Sequence, residues 1–179
     1  MQKIILLIPI CFLLFSCTDP AAIKEATQKE LAVQEEQHAK ELKALVQNFY
    51  DQLSSTPGNT TATKAASYMA PNWKSTPTPT PQGGPNLEGF VKTLHMFHGM
   101  IPNLNWKVHE MLVSGNQVIV RSTASGTPNS PEGYFFGVPT EGKKSFEVQT
   151  IDIHTVENGK LVRAYHTEDW ARAIQQVSE

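Results

Sequence analysis

The spacing of apolar residues changes several times along the chain. Residues 4–15 form an almost unbroken apolar run behind a single cation, Lys3. Residues 20–40 are polar and helix-prone, with Glu25–Lys29 and Glu36–Lys40 spaced as favourable pairs four apart. Ile23, Leu31 and Val33 are the strongly apolar residues there, which leaves little face to bury and predicts a solvated helical stalk. From Leu42 the spacing tightens. Leu42, Leu45, Val46, Phe49 and Leu53 recur three and four apart, a core-facing helical stripe. A short helix is expected over 63–68 with Thr63 as its N-cap. A third is expected over 87–99, with Phe90, Leu94 and Phe97 on one side and Gly99 as its stop.

Beyond residue 104 the period becomes two. Asn105–Val113 and Gln117–Ser125 flank the turn Ser114-Gly115-Asn116, and Ser145–Val156 and Lys160–Thr167 flank Glu157-Asn158-Gly159, an Asn-Gly hairpin signal. Residues 74–86 and 126–142 are rich in proline and glycine and read as loops. A closing helix is expected over 171–177. Helices first and antiparallel strands afterwards predict an α+β fold.

Composition narrows the functional classes. The chain has 179 residues, a formal charge of −2 and two cysteines. That charge gives no electrostatic reason to bind nucleic acid. Two cysteines supply neither a disulfide framework nor a zinc-binding set. The first apolar run is too short to span a bilayer and follows one cation, as in a secretory signal. Its end, Leu14-Phe15-Ser16-Cys17, resembles the bacterial lipobox. That resemblance implies cleavage before Cys17, lipidation of its thiol and anchoring in the cell envelope. Thr18 after the cysteine resembles outer-membrane rather than inner-membrane sorting signals. The expected organisation is a signal over 1–16, a lipidated stalk over 17–41 and one domain over 42–179.

Four segments of that domain resemble the SnoaL-like polyketide cyclase family. They are Gly89-Phe90 with Phe97, Pro102 and Leu104; Gly115-Asn116-Gln117-Val118 through Gly126-Thr127; Gly137-Val138-Pro139-Thr140-Glu141-Gly142-Lys143; and Ile151-Asp152-Ile153 through Gly159-Lys160-Leu161, Tyr165 and Asp169. The resemblance implies a nuclear-transport-factor-like cone. In that fold a curved antiparallel sheet wraps around N-terminal helices and encloses a pocket. Pro128, Arg163 and Tyr165 stand where the family often has histidine, glutamate and tryptophan, which is compatible with a repurposed pocket.

By resemblance, Asp169 is the acid/base candidate; a carboxylate there would equally cap the closing helix. His154 is a second catalytic candidate, as a pocket base or hydrogen bonder, or else an ordinary packed histidine. It shares a strand face with Asp152, Thr150, Val148 and Phe146, and alternation alone does not say whether that face lines the pocket. Arg121, a cation among Val118, Ile119 and Val120, could orient a ligand carboxylate or pair across the sheet. Phe97, Trp106 and Tyr165 are candidate aromatic walls. His95 and His98 lie three apart without a nearby carboxylate, so no metal site is expected, and no cofactor is expected. His38, His109 and His166 belong to no constellation in the sequence.

The expected function is binding or conversion of a small carbonyl-containing or lipid-like molecule in an apolar pocket of at least roughly 300 Å3. If catalytic, the chain would be a cyclase, isomerase or hydrolase using an aspartate. The alternative is a non-catalytic envelope protein that forms homodimers through its sheet.

Overall fold

The computed structural model describes residues 19–54, 59, 61–77, 86–129, 133–140 and 144–178. The expected signal segment and Cys17 lie outside the described residues. None of the described helices is long and apolar enough to cross a membrane.

Helix α1 spans Pro20–Leu53. The chain divides into two compact units between Gln37 and His38. In the first unit every described side chain is exposed, including Ile23, Leu31 and Val33. In the second, Leu42, Val46, Phe49 and Tyr50 are buried, as their helical spacing requires.

Helix α2 (Ala62–Ala66) is capped by Thr61, whose hydroxyl accepts from the Lys64 N–H at 3.1 Å. The cap therefore sits two residues before the expected Thr63. Helix α3 (Leu87–Met100) is capped by Asn86 and buries Phe90, Val91, Leu94 and His98. It does not stop at Gly99, which keeps a φ outside the left-handed region, and it ends one residue later. The closing helix α4 spans Trp170–Ser178.

Among the described residues five strands make the main sheet: β1 (Met69–Thr76), β7 (Lys160–Glu168), β6 (Phe146–Glu157), β3 (Gln117–Gly126) and β2 (Asn105–Ser114), in that order. Strands β2 (Asn105–Ser114), β3 (Gln117–Gly126), β6 (Phe146–Glu157) and β7 (Lys160–Glu168) lie where the alternation places them and pair antiparallel. Asn158 (φ 51°) and Gly159 (φ 70°) both take left-handed conformations, the geometry a two-residue hairpin turn demands.

The sheet is curved and mixed, not wholly antiparallel as expected. Strand β1 (Met69–Thr76) joins the edge parallel to β7. Pro71 and Asn72 interrupt its alternation and a register shift falls between Met69 and Lys74, so no clean period of two marks it in the sequence. A small hairpin, β4 (Tyr134–Phe135) and β5 (Val138–Pro139), stands within the expected loop 126–142. Two apolar clusters fill the interior of the second unit. One gathers Val46, Phe49, Trp73 and Phe90 with Val118 and Leu161; the other gathers Ile101, Leu104, Phe135, Phe146 and Ala173. Trp106 packs against both.

Candidate functional site

A cavity of about 330 Å3 lies between the two clusters. Its walls are mostly aromatic and aliphatic: Phe49, Leu53, Trp73, Phe90, Leu94, Phe97, Leu104, Trp106, Phe136 and Trp170. Besides Thr93 of α3, its polar groups come from three adjacent strands. Strand alternation presents Asp152 and His154 from β6, His166 and Glu168 from β7, and Ser75 from β1.

The register fixes who meets whom. Asp152 lies directly across from His166, while His154 and Ser75 both lie across from Ala164. The small side chain of Ala164 leaves the polar groups of three strands facing one space. A larger surface hollow of about 460 Å3 lies by Asn103, Thr127, Ser145 and Gln176. There the polar groups satisfy one another: Asn103 bonds Thr127, Thr127 bonds Ser145, and Gln176 bonds the Glu147 backbone. The cavity, with its convergent titratable groups, is the stronger candidate.

Tyr50 reaches into this cluster from α1. Its hydroxyl donates to Asp152 Oδ2 at 2.6 Å and lies 3.0 Å from His154 Nε2. Burial, then the charge of Asp152 and their hydrogen bond, hold the phenol far above its ordinary pKa, so it remains a donor. With the hydroxyl proton spent on Asp152, a neutral His154 protonated at Nε2 completes the chain. Burial, aided by the nearby His166 charge, pushes the His154 pKa down to about 3. His154 Nδ1 is buried without a partner.

Asp152 is 5% exposed. Burial pushes its carboxyl up to about 7, the Tyr50 hydrogen bond works against this, and the charge of Glu168 adds to it. His166 goes the other way from His154. Burial opposes its protonation, but the Glu168 hydrogen bond and the charges of Glu168 and Asp152 outweigh that and hold it above its usual value. Its Nδ1 lies 2.8 Å from Glu168 Oε1, and its Nε2 lies 2.6 Å from Ser75 Oγ.

Asp152, His166 and Glu168 each bring one ligand-type atom within 4.8 Å of the others, a spacing a cation could span. Both ring nitrogens of His166 and one oxygen of Asp152 are already engaged in hydrogen bonds with Ser75, Glu168 and Tyr50. Beside it, Ser122 Oγ and Thr150 Oγ1 meet at 2.5 Å, and Trp106 Nε1 donates to Thr150 at 3.3 Å, which fixes one aromatic wall. Phe136 takes a left-handed φ of 48° and packs against Phe97 and Trp170.

Three residues singled out in the sequence do line the cavity: His154, Phe97 and Trp106. Three do not. Asp169 is exposed and caps α4, its carboxylate accepting from the Arg172 N–H at 3.0 Å. The physical reason is alternation: Ala164, His166 and Glu168 face inward, so residue 169 falls past the strand end and starts the helix. Arg121 lies on the outer sheet face and pairs with Glu110 at 3.5 Å. Tyr165 is also on that face, 42% exposed, accepting from Arg163 at 3.0 Å. His166, which the sequence tied to nothing, stands at the centre of the cluster. His98 is buried and bonds the Leu53 carbonyl through Nε2 at 3.0 Å, a packing role.

Sequence reasoning also missed Tyr50, Ser75 and Glu168. For Glu168 a signal existed, since it shares the period-two face of His166. Ser75 was hidden in an expected loop. Tyr50 lies 102 residues from Asp152, and no local pattern connects them.

Comparison with known proteins places these features in a family. The family described as SnoaL-like polyketide cyclase matches residues 44–177. TsrD from Streptomyces laurentii superposes with a TM-score of 0.64 at 20% identity, covering 77% of this chain and 95% of its own. IdmH from Streptomyces antibioticus gives 0.62 at 20% identity, with 75% and 96% covered. A SnoaL-like polyketide cyclase from Agrobacterium tumefaciens gives 0.59 at 17%, with 75% and 96% covered. These likenesses carry the fold. No curated protein matches the sequence.

Proposed function

The chain belongs to the SnoaL-like polyketide cyclase family, and on that premise we propose that its cavity takes a small, mainly apolar carbonyl compound and that Asp152 moves a proton at the carbon beside the carbonyl. The observation that carries this reading is the Asp152 carboxyl itself. It lies at the wall of an apolar cavity with a pKa of about 7, where a carboxyl both takes and returns protons near neutral pH. Tyr50 and Thr150 both hydrogen-bond this carboxyl and favour its charged form, while burial works against them. Trp73 Nε1–H is buried without a partner on the same cavity wall, and a carbonyl oxygen accepting from it gains charge as the neighbouring C–H is broken. The enolate so formed is either reprotonated elsewhere, an isomerisation, or adds to a second carbonyl, a ring closure.

The test is exchange in deuterated water. The full-length protein is mixed with simple β-keto esters, and the signal of the proton beside the carbonyl is followed by NMR. Catalysed exchange is expected, falling about 10²–10⁴-fold in Asp152→Asn with the circular dichroism unchanged. Exchange at the wild-type rate in a folded Asp152→Asn protein rejects the assignment.

A second reading concerns the outer sheet face, where Leu112 pairs with Ile119, Ile119 with Ile153, and Ile153 with Tyr165. Leu112 and Tyr165 are 56% and 42% exposed, and Ile151 adds to the patch. This apolar row across four strands suits a second copy of the chain. Sedimentation of Leu112→Glu against wild type tests it, with a shift to monomer expected. Cys17 is read as the lipid attachment point in a bacterial envelope, most consistent with the outer membrane. The support is the Leu14–Cys17 pattern behind its apolar run. Metabolic labelling with an alkynyl fatty acid should mark wild type and not Cys17→Ser.

A further inference from the structure

The parallel pairing of β1 with β7 has a chemical consequence apart from Asp152. Ser75 Oγ lies 2.6 Å from His166 Nε2, and His166 Nδ1 lies 2.8 Å from Glu168 Oε1. All three side chains line the cavity, and Ser75 is 7% exposed. With Glu168 accepting from Nδ1–H, a neutral imidazole presents the lone pair of Nε2 to the serine hydroxyl. These are the contacts by which a base oriented by a carboxylate activates an alcohol nucleophile. We propose that Ser75, His166 and Glu168 form a nucleophilic triad that cleaves small apolar esters admitted to the cavity.

Ser75 Oγ bonds to the ester carbonyl carbon while its proton passes to His166 Nε2. The carbon–oxygen bond to the alcohol then breaks, and the departing alkoxide takes that proton. Water adds to the acyl-serine, giving its proton to Nε2; the bond to Ser75 breaks and the serine recovers the proton. The net reaction is ester plus water to acid plus alcohol, and Glu168 stands beside the transient imidazolium throughout. The oxyanion needs a donor within the same dry space. Trp73 lies two residues before Ser75, and both are buried positions of β1. Its Nε1–H is buried without a partner and the residue lines the same cavity. The ester class follows from the aromatic walls, which among the described residues carry no lysine or arginine to pair with a charged acyl group. This inference shares the cavity of the reading above but not its acid/base residue.

A fluorophosphonate tests the triad without a known substrate. The full-length protein is treated with the probe at mildly alkaline pH, and the intact mass and modified peptide are read. One phosphonyl group at Ser75 is expected, absent in Ser75→Ala and slowed about 10²–10⁴-fold in His166→Gln. p-Nitrophenyl acetate hydrolysis should fall in the same variants. No mass gain, a modified residue other than Ser75, or wild-type labelling of a folded His166→Gln protein overturns the proposal. Because the modified peptide is mapped on wild type, the result holds even where a variant fails to fold. A failure to label leaves the carbon-acid reading of Asp152 standing, since that reading needs no serine nucleophile.

Discussion

Tyr50 and Asp152 are joined by a 2.6 Å hydrogen bond that ties the core-facing end of α1 to the central strand of the sheet. The phenol is a lasting donor because burial holds its proton, and the carboxyl it meets is itself half-protonated near neutrality. Packing and candidate chemistry thus meet in a single contact.

Tyr50→Phe should separate the two. The ring still packs against Phe49 and His154, but Asp152 and His154 lose their shared hydroxyl. A loss of about 1–3 kcal/mol in a urea titration is expected from the unsatisfied buried groups. The Asp152 midpoint should also rise, because the Tyr50 bond favours the charged carboxylate. A stable variant with an unmoved midpoint would mean the contact does neither.

Two buried groups oppose each other in the pH dependence of stability. The Asp152 pKa rises on folding from 3.8 to about 7, so its contribution is present below the unfolded value and is lost as pH climbs between them. The His154 pKa drops from 6.5 to about 3, so its contribution is present above 6.5 and is lost as pH falls toward 3. Between about pH 4 and 6.5 the two slopes cancel. Asp152→Asn should therefore gain stability with rising pH over that window, by at most about 1.4 kcal/mol per unit, and His154→Gln should lose it. Thermal or urea unfolding across pH reads both signs, and variants that run parallel to wild type contradict them.

Asp169 should behave as a cap. Asp169→Ala removes the acceptor for the Arg172 N–H and should cost about 0.5–2 kcal/mol, whereas Asp169→Asn, which keeps an acceptor, should stay close to wild type in both stability and proton exchange. Abolished exchange in Asp169→Asn would return the catalytic role to this residue.

Gly126 closes β3 against the start of the second cluster. A Cβ there would collide with the Ile101 side chain, which is fully buried. Gly126→Ala should lose about 1–3 kcal/mol from this overpacking, measured by denaturation, and a neutral result would mean that Ile101 has room to turn.

The sequence carried the elements whose signal is local. The stripe from Leu42 to Leu53 set the buried face of α1, and Asn158-Gly159 set the β6–β7 hairpin. Strand β1 was lost because Pro71 breaks its alternation and its partner lies about ninety residues away. The site suffered for the same reason. His154, Phe97 and Trp106 were legible as residue types on regular elements. His166 acquires meaning only from Ser75 on β1, Glu168 on its own strand and Asp152 across the β6–β7 register. Glu168 lines the cavity and Asp169, one position on, caps α4, because the alternation of β7 ends between them.

Proton exchange with a ligand depends on the protonation of Asp152 in the folded protein, which can be measured without any ligand. A 13C NMR titration of aspartate side-chain carboxyls, assigned by comparing wild type with Asp152→Asn, gives its midpoint in the folded protein. A midpoint near 7 is predicted, moving upward in Tyr50→Phe. A midpoint near 4, that of an ordinary solvated carboxylate, would contradict the claim that this residue exchanges protons with a ligand in the cavity.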